Sequence, residues 1–458
     1  LQLDQASLGL PDRSYLLKGL NDSVVAAYLK LMTEAAQLLG ADKKAAETEL
    51  RDALQFEIAL ANYSLPREER RNMSKLYNKM PLNSLKRLTP QIDWNRYFNS
   101  LLVDKVTLDE PIIVVVPEFV KQFESLLLRT PARTVANYMV WRVVLQSYAT
   151  LGKQWREQLQ EFNGVLTGRT RETARWEQCM VSLTGYLGIA LSSLYVRHFF
   201  LEESKAAALD MVKFILKEFM AILDDIDWMD EQTRQRARAK AQAIQPHIGY
   251  PEELLRDALV EEHYRRFPAG ILQGVFFSKD RPRYLNYGAI GSIIGHEITH
   301  GFDDQGRQFD KDGNNINWWQ PETDLKFRQR AQCIVDQYGN YTVAEGTLNV
   351  NGVNTQGENI ADNGGIKEAF NVKHRLRGYG RYFFGFTCLG RVVEFTPHFT
   401  RQLPRWPLTA RWEITCYNQM FHVLCRVIGP TTNTPEFAAE FNCPVGSPMN
   451  PVNKCTVW

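Results

Sequence analysis

The hydrophobic positions in the first 245 residues follow helical spacing, with apolar residues recurring three or four positions apart. Two amphipathic helices are predicted within residues 20–62, and Asp42 is placed to cap the second. A short β-branched run between prolines, residues 111–117, indicates a strand or extended segment. Core packing explains all of these apolar stripes, so this half of the chain offers no candidate catalytic residues. Further helices are predicted at about 134–151, 154–162, 175–192, 203–224 and 229–245.

The stretch from residue 286 to 302 predicts a buried helix with two histidines on one face. His296 and His300 are four positions apart, so both imidazoles leave the helix on the same side, one turn apart. Two neutral imidazoles at this spacing can hold one Zn²⁺. Glu297 lies about 100° round the helix, where it can take a proton from an attacking water. Asn286 is expected to cap the helix.

Three glycines, Gly288, Gly291 and Gly295, form a narrow stripe on the same helix. A glycine inside a helix costs about 1 kcal/mol relative to alanine. Three of them therefore predict either close packing against another element or the floor of a cleft.

A second pair of residues supports the interpretation of the first motif as a metal site. H-E-x-x-H has only three fixed positions and recurs by chance, so alone it does not decide for a metal site. Glu358 and Asp362 are again four apart and share a helix face. Glu358 would complete a His₂Glu site with one open position, and Asp362 can accept the other ring N–H of a ligand histidine. The alternative for this pair is a charge pair in the first helical turn, favoured by the helix dipole.

Together the two motifs predict one Zn²⁺ per chain, held by His296, His300 and Glu358. Glu297 and Asp362 are then the predicted catalytic residues. A purely structural zinc site is less consistent with this pattern, because such sites are usually closed by four Cys or His ligands.

Longer motifs surround these residues: FPAGILQ at 267–273, IGHEITHGFDDQGR at 294–307, GENIADNGG at 357–365, and a C-terminal segment from Cys443 to Trp458. They resemble the neprilysin and endothelin-converting-enzyme family of zinc peptidases. The resemblance implies an α+β, mostly α-helical fold. It implies an all-helical lid lobe at residues 1–250 and a thermolysin-like zinc-peptidase lobe with a small sheet at 251–458. The implied activity is zinc-dependent hydrolysis of small extracellular peptides, with the lid excluding folded proteins.

The same resemblance concerns the cysteines and the cellular location. It implies a disulfide between Cys333 and Cys455, and partners for Cys179 and Cys443 in a part of the protein before residue 1. Family members are mostly anchored by an N-terminal membrane helix, which is absent here, with the catalytic part outside the cell. Four N-x-S/T sequons agree with secretion or a cell-surface location; they begin at Asn21, Asn62, Asn72 and Asn340.

Composition and net charge mainly exclude some classes of protein. Hydrophobic residues make up 44% and charged residues 23% of the 458 residues, as in globular proteins. The net charge of +2 predicts no nucleic-acid partner. No stretch of about 18 apolar residues is present to span a membrane. The sequence pattern leaves the oligomeric state open.

The chain departs from the family pattern in two places. An Asn-Ala-aromatic-Tyr strand, which in the family binds the substrate backbone, is missing between residues 246 and 273. Residues 373–425 diverge as well. Arg426 matches the family's arginine that meets the substrate carbonyl, but the oxyanion-binding histidine expected six residues earlier is replaced by Met420. His422, four residues before Arg426, either takes over this function or is a bystander.

These departures leave two functions open. The chain is predicted to be a zinc metalloendopeptidase, with weaker activity than a complete family member. The alternative is a family member that retains zinc and binds peptides with little or no turnover. The intact Glu297 favours the enzyme, and the missing backbone-binding strand favours the alternative.

Overall fold

The structure, a computed structural model, describes residues 1–102, 105–168, 173–200, 202–246, 248, 250, 282–343, 348–372, 383–384, 387 and 420–458. These residues form two compact units, the first unit Leu1–Cys179 and the second unit Met180–Trp458. The fold is α+β and mostly helical, which confirms the predicted class. The domain boundary expected between residues 250 and 251 stays a prediction. The division into two compact units falls earlier in the chain, inside the helix Arg175–Phe199.

The first unit is built from helices at the positions that the apolar periodicity indicated. The two amphipathic helices expected within residues 20–62 are confirmed, and the Asp42 side chain caps the second by accepting the Ala45 N–H at 3.0 Å. The helices are α1 (Arg13–Leu16), α2 (Ser23–Leu38), α3 (Lys43–Tyr63), α4 (Met73–Leu76), α5 (Leu82–Leu88), α6 (Trp94–Leu101), α7 (Pro117–Arg129), α8 (Ala132–Ser147), α9 (Lys153–Thr167) and α10 (Arg175–Phe199), the last continuing into the second unit.

A three-stranded sheet also lies in the first unit. Strand β1 (Gln2–Leu3) pairs in parallel with β3 (Pro111–Val114), and β2 (Lys79–Pro81) pairs with β3 from the other side in antiparallel orientation. The predicted extended run is thus the central strand, with Ile112 and Val114 fully buried. The first unit is therefore not purely helical, unlike the lid lobe implied by the resemblance, because this β-branched run is apolar enough to bury a strand.

The second unit contains the two predicted metal-binding motifs. No helix in the described part of the chain is long and apolar enough to cross a bilayer. Strand β4 (Thr342–Val343) pairs with β5 (Leu348–Asn349) in antiparallel orientation. The helices are α11 (Glu202–Asp225), α12 (Glu231–Gln242), α13 (Arg283–Asn286), α14 (Ser292–His300), α15 (Pro321–Gly339), α16 (Gly352–Asn371), α17 (Met420–Asn433) and α18 (Pro435–Glu440).

The C-terminus is held inside the second unit. The expected disulfide between Cys333 and Cys455 is present and joins the tail to α15. Three residues later the Trp458 ring, 4% exposed, packs 6.0 Å from the Phe302 ring, centroid to centroid. Since Phe302 lies two residues after His300, the tail supports the end of the histidine helix. Cys179 and Cys443 form no disulfide within the described residues, and their expected partners stay a prediction.

Candidate metal centre and active site

The histidine helix begins differently from the expectation. A single turn of π-helix, Tyr287–Gly291, joins α13 to α14, so the helical path continues through Asn286. Asn286 has helical backbone angles and makes no capping hydrogen bond with its side chain. The predicted N-cap is therefore wrong. A capping residue needs a non-helical backbone, and here helical residues on both sides of Asn286 deny it one.

Two glycines of the stripe are explained by close packing: a Cβ on Gly288 would lie 2.4 Å from the carbonyl oxygen of Phe383, and Gly295 lies where α14 contacts α16. A Cβ added to Gly295 would lie 2.8 Å from the Cα of Gly365, and one added to Gly365 would lie 2.4 Å from the backbone nitrogen of His296. These distances are shorter than carbon and nitrogen atoms tolerate, so neither position has room for a larger residue. The prediction of close packing is confirmed, and the two motif-bearing helices touch backbone to backbone.

This contact brings the three predicted ligands together. His296 Nε2 lies 3.4 Å from one Glu358 oxygen, and His300 Nε2 lies 3.6 Å from the other. One ligand atom from each residue lies within 4.8 Å of the other two. Zinc bonds of about 2.0–2.2 Å in a tetrahedral site place ligand atoms roughly 3.3–3.6 Å apart. The donor set and its spacing therefore fit a zinc ion, and the half-exposed Glu358 side chain leaves the site accessible to solvent.

Each histidine is held by a buried carboxylate on its other ring nitrogen. His296 Nδ1 lies 2.8 Å from Asp362, and His300 Nδ1 lies 2.8 Å from Asp303. Because an ionised carboxylate only accepts hydrogen bonds, each Nδ1 is assigned the proton. Each Nε2 then presents a lone pair towards Glu358, the arrangement that a metal requires. Sequence reasoning gave Asp303 no role, although its position three residues after His300 was a usable signal.

Arg426, on α17, joins the outer carboxylate to the third ligand. Its Nε and Nη2 donate to the two oxygens of Asp362 at 2.6 and 2.9 Å, and Nη2 lies 3.0 Å from Glu358. His422 belongs to the same helix, but its side chain lies outside the described residues.

Glu297 differs from its neighbours in α14 by its exposure. Its side chain is exposed, whereas the adjacent His296 is buried. Thus the helix directs a ligand inward while the next residue carries a carboxylate at the surface. A solvent-accessible carboxylate beside a metal ligand is suited to exchanging protons with water.

The loop after His300 is held by a partly buried cation. Lys240 Nζ donates to the carbonyl oxygens of Gly306 and Phe309 at 2.7 and 2.6 Å. Gly306 is required here, because an added Cβ would lie 1.9 Å from the His300 carbonyl oxygen. Asp303 Oδ1 accepts the Gly306 N–H at 2.7 Å, which orients its other oxygen towards His300. Burial lowers the pKa of Lys240 from 10.5 to about 8, although Asp303 and Asp310 attract its charge.

Comparison with known families identifies this arrangement. One model of peptidase family M13 matches residues 1–251, and a second model of the same family matches residues 259–387. The chain belongs to peptidase family M13. As a member of this family it is a zinc metallopeptidase, and the metal that the donor set fits is the one that the family implies.

Relatives and solved structures agree with this assignment. The M13 chain is 39% identical to Neprilysin-2 of Drosophila melanogaster, covering 100% of the chain and 68% of the relative. It is 34% identical to endothelin-converting enzyme 1 of Homo sapiens, covering 67% of that protein. The fold matches the zinc metalloprotease Zmp1 of Mycobacterium tuberculosis with a TM-score of 0.82 at 23% identity, over 100% of this chain and 77% of that one. The match to Neprilysin-2 runs over 535 positions against 458 residues here, so parts of that relative have no counterpart.

Proposed function

We propose that this chain is a zinc-dependent endopeptidase that cleaves small extracellular peptides, with one Zn²⁺ held by His296, His300 and Glu358. The observation that carries the proposal is the meeting of three ligand atoms within 4.8 Å. Each histidine in this group also has its own buried carboxylate partner. Such pairing fixes both rings before the metal arrives, which is typical of metal centres in enzymes.

The residues of the chain divide the work of hydrolysis. When bound, zinc supplies a Lewis acid that polarises the scissile carbonyl and makes water more acidic. Glu297 accepts a proton from the attacking water on its exposed carboxylate and later gives it to the leaving amine. Asp362 and Asp303 act as positioning residues, because they hold the Nδ1 protons of the two histidines.

Arg426 has two tasks in this proposal. It neutralises Asp362 and Glu358 in the structure through three contacts of 2.6–3.0 Å. Its planar guanidinium also suits a substrate carbonyl, the role that the family resemblance implies. His422 is proposed as the further oxyanion donor from the same helix. A peptide that engages Arg426 must therefore share it with the two carboxylates.

A zinc-retaining peptide-binding protein with little turnover is the second candidate. Two observations favour it. Arg426 is already occupied by carboxylates, and relatives such as Neprilysin-2 carry segments with no counterpart here. The Asn-Ala strand is missing between residues 246 and 273, and residues 251–281 lie outside the described part of the chain.

Hydrolysis of a short fluorogenic peptide, with and without a chelator, separates the two candidates. We expect cleavage that a chelator abolishes and added Zn²⁺ restores. Glu297→Gln should retain zinc and lose hydrolysis, because an amide cannot take the proton. Glu322→Gln, which removes another exposed carboxylate, on α15, is the matched control and should remain active. Zinc binding and peptide binding without cleavage would select the second candidate.

The location outside the cell is part of the same proposal. All four sequon asparagines, Asn21, Asn62, Asn72 and Asn340, are exposed, as glycan attachment requires. Expression through a secretory pathway should give protein whose mobility increases after treatment with an N-glycosidase. Protein of unchanged mobility would argue against glycosylation.

A further inference from the structure

Glu368 is a fully buried carboxyl group between the two ligand helices. It lies on α16, ten residues after Glu358, and is 0% exposed. Its Oε1 lies 2.7 Å from the hydroxyl of Thr299 on α14. Its Oε2 has no hydrogen-bond partner among the residues that the structure describes. A buried carboxylate with so few donors is costly, so the group requires an explanation.

The number of protons at Thr299 indicates the charge of Glu368. The Thr299 hydroxyl lies 2.7 Å from Glu368 Oε1 and 2.8 Å from the carbonyl oxygen of Gly295. A hydroxyl has one hydrogen to donate, and both a carbonyl and an ionised carboxylate only accept. With Glu368 ionised, one of these two contacts has no hydrogen. With Glu368 protonated, its O–H donates to Thr299, and Thr299 donates to Gly295.

The electrostatic surroundings agree with the neutral form. Burial raises the pKa of Glu368 well above its ordinary value, and this effect exceeds the opposing effects of the Thr299 contact and the Lys367 charge. Glu218 raises it further. Lys367 does not bond to Glu368 but donates to the carbonyl oxygen of Trp458 at 2.7 Å.

The location of this hydrogen-bonded chain connects it to the metal centre. Thr299 immediately precedes His300, and α16 carries both Glu358 and Asp362. The surrounding contact is made of glycines: a Cβ on Gly364 would lie 2.6 Å from the Thr299 hydroxyl oxygen. Glycine surfaces allow close approach but offer no interlocking side chains against sliding. The directional link from α16 through Thr299 to α14 supplies that restraint.

We propose that Glu368 is a positioning residue, a neutral carboxylic acid that fixes α14 against α16 through Thr299 and so sets the spacing of the three metal ligands. This proposal rests on the metal site proposed above. Glu368 acts on the geometry of the site through Thr299, and no contact between Glu368 and the ligand atoms is proposed. It predicts that an uncharged donor can replace Glu368 and that an apolar residue cannot.

Two substitutions of similar size test the proposal by metal binding. Glu368→Gln places an amide donor where the O–H stood, so Co²⁺ affinity and the visible spectrum of the Co²⁺-loaded protein should match the wild type. Glu368→Met leaves Thr299 bonded to Gly295 but breaks the link. We expect Co²⁺ affinity to fall about tenfold, at the lower end of outer-shell substitutions, with a shifted spectrum. The metal-free protein should keep or increase its Tm, because Thr299 still donates to Gly295 and the substitution removes the buried Glu368 Oε2 that has no partner.

A double substitution and a control locate the effect. Thr299→Val should weaken Co²⁺ binding as Glu368→Met does, and combining them should weaken it no further, as expected for one shared link. Thr33→Val on α2 removes the same kind of buried hydroxyl, bonded only to Leu29 four residues back, and should leave metal binding unchanged. Wild-type affinity in Glu368→Met, or equal losses in the Gln and Met variants, would overturn the proposal.

Infrared spectroscopy tests the protonation directly and needs neither metal nor activity. The difference spectrum between the wild type and Glu368→Gln at neutral pH should contain the carbonyl stretch of a protonated carboxyl. Carboxylate bands in its place would overturn the neutral assignment. These measurements remain decisive even if the protein cleaves no peptide, so failure of the proposed activity and failure of this inference are distinguishable. If Glu368→Met does not fold, the Gln variant and the infrared spectrum decide.

Discussion

Replacing Asp362 by asparagine isolates the contribution of the carboxylate behind the metal ligands. Asp362 is 0% exposed and receives two hydrogen bonds from Arg426, to Oδ1 at 2.9 Å and from Nε to Oδ2 at 2.6 Å. Its Oδ1 also lies 2.8 Å from His296 Nδ1. An asparagine has one acceptor oxygen and one NH₂ group of almost the same shape. The best orientation keeps its oxygen at the Oδ1 position, so the NH₂ group faces the Nε–H of Arg426.

The expected losses follow from this conflict between two donors. Hydrogen bonds to charged groups contribute about 1.5–3 kcal/mol each, and Arg426 loses one. Arg426 keeps its contact with Glu358 at 3.0 Å. We therefore expect the free energy of unfolding to decrease by an amount near the lower end of that range, about 1.5 kcal/mol. The His296 Nδ1–H also loses a charged acceptor. Substitution of such partners reduces metal affinity about 10–100-fold, which corresponds to about 1.4–2.7 kcal/mol.

Competition with a chromophoric chelator at neutral pH and fixed ionic strength measures the zinc affinity. Denaturant unfolding of the metal-free protein measures stability separately. Asp336→Asn removes an exposed carboxylate from α15 of the same unit and controls for the change in net charge. Zinc affinity in Asp362→Asn equal to that of the control would refute the assignment of Asp362 as the partner that orients His296.

Three other predictions follow from the site and its supports. His300→Ala should lose the bound zinc, measured by metal analysis, and unchanged zinc content would remove His300 from the ligand set. The folded-state pKa of Lys240 is lowered from 10.5 to about 8, so between these values the unfolded chain holds more protons. Wild-type stability should therefore rise relative to Lys240→Met as the pH increases from 8 to 10.5, and a constant difference in denaturant unfolding would contradict this. Adding a family-like Asn-Ala strand and an Asp-x-His-x-Pro segment before Arg426 should increase kcat/KM, since positioning contributes roughly 7–11 kcal/mol to such reactions; equal values at equal zinc occupancy would show that neither segment matters.

Features that depend on neighbours along the chain could be predicted from the sequence. The four-residue spacing of His296 and His300 puts their rings on one helix face wherever that helix lies, and the same holds for Glu358 and Asp362. The helices α2 and α3, the Asp42 cap and the strand β3 were predictable for the same reason, because each follows from local periodicity or local hydrogen bonding. The glycine stripe predicted close packing, since glycine in a helix is otherwise unfavourable.

Features that depend on distances between separate elements required the tertiary structure. Arg426 bonds to Asp362, 64 residues away, and Thr299 meets Glu368, 69 residues away. Neither partnership leaves a trace in spacing along the chain, because any two helix faces can carry such residues without meeting. The Asn286 cap failed for a related reason, as packing around the π turn kept its backbone helical. The sequence thus determined which side chains share a face. Only the contact between α14 and α16 decided which faces meet, and with them the hydrogen bonds and protonation states that prepare the site for a metal.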